Sequence, residues 1–125
     1  MNALDAARAH LAKAREFLEA AELENRADLY NAATSSAVVS GINSKDAICL
    51  KLTGRTSKSD DHAAAVGDLA ASSAQGRQLG PTFKRLLSKK AKSQYQDQSV
   101  AATEARKAIE QATKLYRAAQ EIVTS

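Results

Sequence analysis

Tryptophan is absent from this 125-residue chain, cysteine and proline occur once each, as Cys49 and Pro81, and two phenylalanines and three tyrosines are the whole aromatic content. A single cysteine excludes an internal disulfide and a zinc site built on several thiolates. With so few aromatics, the core has to come from alanine and branched aliphatics, which suits helices in close contact. No stretch approaches the ~18 consecutive apolar residues of a membrane span. The first residues, MNALDAARAHLAKAREF, lack the apolar run of a signal peptide. A cytoplasmic protein with no membrane association is therefore expected. Acidic residues are missing from one place in particular. Between Arg77 and Lys92 lie Arg77, Lys84, Arg85, Lys89, Lys90 and Lys92, with no carboxylate among them; against a chain total of +4, these six leave the remainder at −2. The basic character is local.

The length fits one domain, taken as residues 1–125, able to form a core without metal or disulfide. Its centre is the stretch Ala27 to Leu52, where apolar or small residues recur in steps of three and four around most of the circumference. Such a helix belongs in the middle of a bundle. A first helix is predicted from about Asn2 to Glu22, with a seam of Leu4, Ala7, Leu11, Ala14, Leu18 and Ala21. Asn25 then serves as N-cap of the central helix, which ends at Thr53-Gly54. Ser59 or Asp60 is expected to cap a third helix over Asp61 to Ser73, turning Ala63, Val66 and Leu69 or Ala70 inward. Residues 75–80 read as a break, Pro81 as the first residue of a fourth helix. That helix is expected to bury Phe83, Leu86, Leu87, Ala91 and Tyr95. Ser99 caps a fifth, with the seam Ala101, Ala105, Ala108, Ala112, Leu115, Ala119 and Ile122. The expected class is all-α, an up-and-down bundle of four to five helices.

Within the apolar band of the central helix, Asp46 needs a cation, a helix end or water, because an unpaired buried carboxylate costs several kcal/mol. It is either part of a site or one half of an ion pair with a lysine, arginine or histidine of another helix. His62 opens the third helix and is either a base or nucleotide contact or a capping residue. His10, beside Arg8 and Lys13, is read as facing solvent. Two histidines that far apart, without a carboxylate or thiolate cluster, give no metal site, and no cofactor motif is found. Arg77, Lys84, Arg85, Lys89 and Lys92 form a candidate nucleic-acid-binding face, Arg85, Lys89 and Lys92 being spaced i, i+4 and i+7. Tyr95 is either a base-stacking platform or core.

The stretches YNAATSSAVVSGINSKDAIC (30–49), DDHAAAVGDL (60–69) and LLSKKAKSQYQDQSVAATEARKAIEQATKLY (86–116), with the alanine-rich first helix, resemble the HEPN domain family, and within it small actinobacterial HEPN-domain proteins. The resemblance covers nearly the whole chain. It implies a HEPN-like helical bundle that forms a homodimer and binds RNA or nucleotide in a cleft. A place in a toxin–antitoxin system, or beside a minimal nucleotidyltransferase partner, is also implied. The family's cleavage motif is an arginine followed after four to six residues by a histidine. Arg77 and Arg85 have no histidine in that window, and neither His10 nor His62 is read as completing it. No catalytic pair is assigned. Asp46, His62, Lys92 and Tyr95 are taken as one candidate cluster, with Lys92 pairing Asp46 or holding a phosphate beside it. The expected function is a non-catalytic binding module; a divergent ribonuclease using a lysine, His62 and Tyr95, and a purely structural adaptor, are the alternatives.

Overall fold

Side-chain chemistry at the first helix start is local and simple: Asn2 Oδ1 accepts the Asp5 N–H at 2.8 Å and opens α1 (Ala3–Arg26). The computed structural model describes residues 1–57 and 61–125. Ala7, Ala14, Leu18 and Ala21 of the predicted seam are buried, while Leu4 and Leu11 are half-buried. α1 runs one turn further than expected, so Asn25 lies inside its last turn and caps nothing. The reversal falls instead at Asp28, which takes a positive φ of 61°, a conformation that aspartate tolerates better than most residues.

α2 (Tyr30–Thr53) then returns antiparallel to α1. The direction is fixed by three cross-links: Ser36 Oγ donates to Glu24 Oε1, Ser40 Oγ to the Ala14 carbonyl, and Asn43 Oδ1 meets His10 Nδ1. As the sequence requires, α2 has no single apolar face; it buries thirteen residues between Ala33 and Cys49 and packs on all five other described helical elements. Gly54 ends it with φ 76°, its N–H bonded to the Leu50 carbonyl.

α3 (His62–Ser72) is capped by Asp61, whose carboxylate accepts the Ala64 N–H at 3.0 Å; Ser59 and Asp60 lie outside the described residues. Ala65 and Leu69 face the core, not Ala63, which is exposed. The stretch 75–80 is not a break. Ser73 Oγ accepts the Gly76 N–H and starts α4 (Ala74–Leu87), which carries Pro81 in its interior. The glycine at 76 is required by packing: a Cβ there would stand 2.1 Å from the Leu69 carbonyl oxygen, so α4 can fold back on α3 only with hydrogen at this position. The helix buries Phe83, Leu86 and Leu87 as expected, then breaks at Ser88, whose hydroxyl turns back onto the Arg85 carbonyl. After that break Ala91 and Tyr95 no longer share its buried face. Ala91 is exposed, and Tyr95, 76% exposed, is a surface residue at the end of the short α5 (Lys90–Gln94).

α6 (Ala102–Thr124) begins at Ala101, whose N–H is held by the Glu104 carboxylate; Ser99 does not cap it. Five of its seven seam positions, Ala105, Ala108, Ala112, Leu115 and Ala119, are buried, joined by Ala118 and Val123; Ala101 is exposed and Ile122 half-buried. Asn31 holds the Val100 N–H at one end, and Lys51 Nζ reaches the Ser125 carbonyl at the other, so α6 runs parallel to α2. The hairpin α3–α4 covers the C-terminal half of this pair and α5 covers the N-terminal half, where Gln94 bonds Ser35. Every described helix but α5 contributes to one core cluster. Among the described residues there is no strand, and the protein is all-α as its sequence dictates. No described helix is long and apolar enough to cross a membrane.

Candidate functional site

Lys45 is the largest fully buried side chain among the described residues, at 1% exposure. A lone ammonium there would be prohibitive, so its donors are all engaged. Its Nζ lies 3.3 Å from Asp46 Oδ1, donates to Thr56 Oγ1 at 2.6 Å and to the Ser57 carbonyl at 3.4 Å, and stands 3.6 Å from Asp68 Oδ2. Neighbouring residues on a helix point apart, and it is the long lysine stem that carries the ammonium round to the aspartate. Thr56 closes the arrangement, donating its hydroxyl to Asp46 Oδ1 at 2.5 Å. On the far side of Asp46, Oδ2 lies 3.9 Å from His10 Nδ1, and His10 is held 2.8 Å from Asn43 Oδ1. Asn43 in turn donates to the Val39 carbonyl.

The network ties α1, α2, the segment after α2 and α3 to one point. Asp46 is thereby satisfied by a lysine of its own helix and the Thr56 hydroxyl, with the His10 ring of α1 standing 3.9 Å off. His10 is half-buried over this network rather than turned to solvent. Beside it, Thr53, Arg55, Thr56, Ser57, Asp68 and Ala71 line a groove of about 490 Å³. Asp68 is held below the usual carboxylate range, first by hydrogen bonding from Ser57, which burial opposes as the next largest effect, with the Lys45 ammonium adding to the lowering. Since the unfolded carboxyl titrates near ~4, the stability this group supplies is complete above that value and drains away as pH falls through the lower folded value. Asp68→Asn should therefore flatten the acid side of a plot of urea midpoint against pH, below about pH 4. An acid limb identical to that of the parent chain would refute this role for Asp68. Cys49, one turn beyond Lys45, is buried and its thiol is pushed up to about 11, chiefly by that burial, which leaves it protonated and unreactive at neutral pH.

The four residues expected to share a site do not meet around Asp46. Lys92 pairs with Glu104, at 3.0 and 3.3 Å to its two oxygens, because α5 hangs beside the start of α6. That contact, with the Ala101 N–H, holds Glu104 below its usual range. Tyr95 is on the surface, and His62 lies across α3 on the wall of a cavity shared with Lys84. Asn43, one turn from Asp46, stands out in the sequence as a second polar residue of the apolar band, whereas Lys45, His10, Thr56 and Asp68 are the residues that sequence reasoning missed. One signal was available for Lys45: it stands at the apolar spacing Val38, Gly41, Lys45, Ile48, where a charge has to be paired.

The basic stretch becomes a surface of two helices. Arg77, Lys84 and Arg85 are exposed on α4. Lys89 donates to Gln111 of α6 at 2.8 Å and is pushed below the usual lysine range by burial first, then by the charges of Lys107 and Arg85. Glu104, the acidic neighbour, is already occupied by Lys92. Positive charge is thus crowded here, and Glu104 offsets it at Lys89 by less than Lys107 or Arg85 adds.

The arginine–histidine spacing differs from the expectation at one place. Six residues, Thr56 to Asp61, separate Arg55 from His62, so this pair does fall in the family's window, at the head of α3. Arg55 lines the groove beside Asp68, however, and His62 the separate cavity beside Lys84. No group of three or more histidine, cysteine, aspartate or glutamate side chains among the described residues is placed to hold a metal ion. Compared with protein-family profiles, residues 7–122 match the HEPN domain. Comparison with curated proteins gives no match.

Proposed function

Because the chain belongs to the HEPN domain family, we propose that it is an RNA-binding HEPN module that acts through the surface of α4, α5 and α6. The observation that carries this reading is the crowding of Lys89 by Arg85 and Lys107 on a surface whose carboxylate, Glu104, is held by Lys92. A phosphate backbone supplies the missing negative charge, and Arg77 and Lys84 extend the contact along α4. Lys92 contributes less than its place in the sequence suggests, because Glu104 already neutralises it. As a non-catalytic partner in a toxin–antitoxin or nucleotidyltransferase-associated pair, such a module would hold an RNA for another protein to act on.

In fluorescence anisotropy with a labelled single-stranded RNA, affinity should fall as salt rises. Lys89→Glu with Lys107→Glu should weaken binding and lower the log–log salt slope by about 0.7 for each phosphate no longer neutralised. Equal affinity of the double variant, or binding indifferent to salt, would overturn the proposal. A ribonuclease reading is favoured by one feature, the six-residue interval between Arg55 and His62. RNA cleavage by the purified chain that disappears in both Arg55→Ala and His62→Ala would replace the binding module with an enzyme.

A further inference from the structure

Gly41 and Gly76 are explained by their neighbours, for a Cβ at either would lie within 2.4 Å of another atom; at Gly67, in the middle of α3, a Cβ would meet nothing within 4 Å. A glycine inside a helix is destabilising relative to alanine, so its presence at a place with room to spare is not a packing requirement. The space beside it belongs to a cavity of about 530 Å³ between α3 and α4, the size of a small-molecule site. Ala63, Val66 and Leu87 make its walls apolar. His62, Lys84 and Ser88 supply its polar groups. Among the described residues no carboxylate lines it, and Asp61, next in sequence to His62, accepts the Ala64 N–H. Antiparallel packing of α3 on α4 brings His62 and Lys84 to the same end of the cavity, where α3 begins and α4 ends.

We propose that this cavity is a binding site for a small amphipathic anion, whose apolar body lies against Val66, Gly67 and Leu87 while its acidic head meets the Lys84 ammonium and the His62 ring. The greasy walls favour the body through burial, and the positive end discriminates in favour of an acid over its neutral analogue. The cavity shares Lys84 with the RNA surface, while its other walls, four residues of α3 with Leu87 and Ser88 at the end of α4, lie outside the residues named for that surface.

Anilinonaphthalene sulfonate, an aromatic body with an anionic head, and phenylnaphthylamine, the same body without the sulfonate, are the probes. Fluorescence titration of the folded chain should give saturable binding of the sulfonate. Lys84→Gln should weaken it by roughly tenfold while leaving the neutral probe unchanged, a ratio that reads the charged contact alone. Gly67→Leu should abolish saturable binding of both probes while circular dichroism stays that of the parent, because the leucine side chain fills the cavity. If Gly67→Leu fails to fold, the split between the two probes in Lys84→Gln, an exposed position, still decides. Binding of the sulfonate that is unaltered in Lys84→Gln, or a neutral probe that loses as much, would overturn the proposal.

Discussion

Lys45→Met is expected to cost about 3–5 kcal/mol of unfolding free energy, the range for removing one partner of a buried ion pair. The stem volume is preserved, so the loss comes from the charge. Asp46, 8% exposed, would keep only the Thr56 hydroxyl and a distant imidazole, and the Ser57 carbonyl and Asp68 would be deprived of their shared donor. Urea unfolding followed by circular dichroism measures the change, with Lys51→Met as reference. Lys51 is half-buried at the end of the same helix and bonds only the Ser125 carbonyl among the described residues, so its replacement should stay within about 0.5 kcal/mol. Adding Asp46→Leu to Lys45→Met should recover much of the loss, since an apolar pair of similar volume is often as stable as the ions it replaces. A single-variant effect below about 1 kcal/mol would mean that water reaches Lys45 and that the network does not hold the segment after α2.

The same substitution at three glycines should give three different results. Gly76→Ala should destabilise by about 3 kcal/mol, the upper end for overpacking, because the new methyl would press on the backbone carbonyl of Leu69, which cannot swing aside. Gly41→Ala meets Leu86 Cδ2, the end of a movable side chain, and should cost about 1 kcal/mol. Gly67→Ala meets nothing and should stabilise by about 0.5–1 kcal/mol through the gain in helix propensity. Thermal melts of the three variants test the order. Equal shifts at Gly41 and Gly76 would show that α3 and α4 are not in the close contact described.

How far the chain could be read without coordinates depended on whether a feature was repeated or single. The seams of α1 and α6 recur turn after turn, and most of their positions are buried where the spacing put them. Ends were less legible, because a cap is decided by one residue among several candidates. Asn25, Ser99 and Asp61 are all competent, yet only Asp61 caps; α1 and the Glu104 carboxylate displace the other two. Pro81 shows the same limit, since a proline read in isolation marks a first turn, whereas Ser73 had already started the helix. At the candidate site, Asp46 announced itself by being out of place. Its partners did not, for a lysine one position away points elsewhere until its stem curls back, and Thr56 and Asp68 are brought there by the fold-back of α3. Tyr95 was misplaced because one turn at Ser88 changes the face of every residue that follows.

A rod with no hydrophilic side has a consequence for synthesis. As the chain emerges from a ribosome, α2 appears with only α1 to shelter it, and the helix that lies alongside it in parallel, α6, is the last of the described helices to be made. For that interval the exposed flank of α2 can stick to other nascent chains. Any break in translation after α4 would leave a fragment bare along the surface that α6 normally covers, a fragment suited to aggregation or to capture by a chaperone.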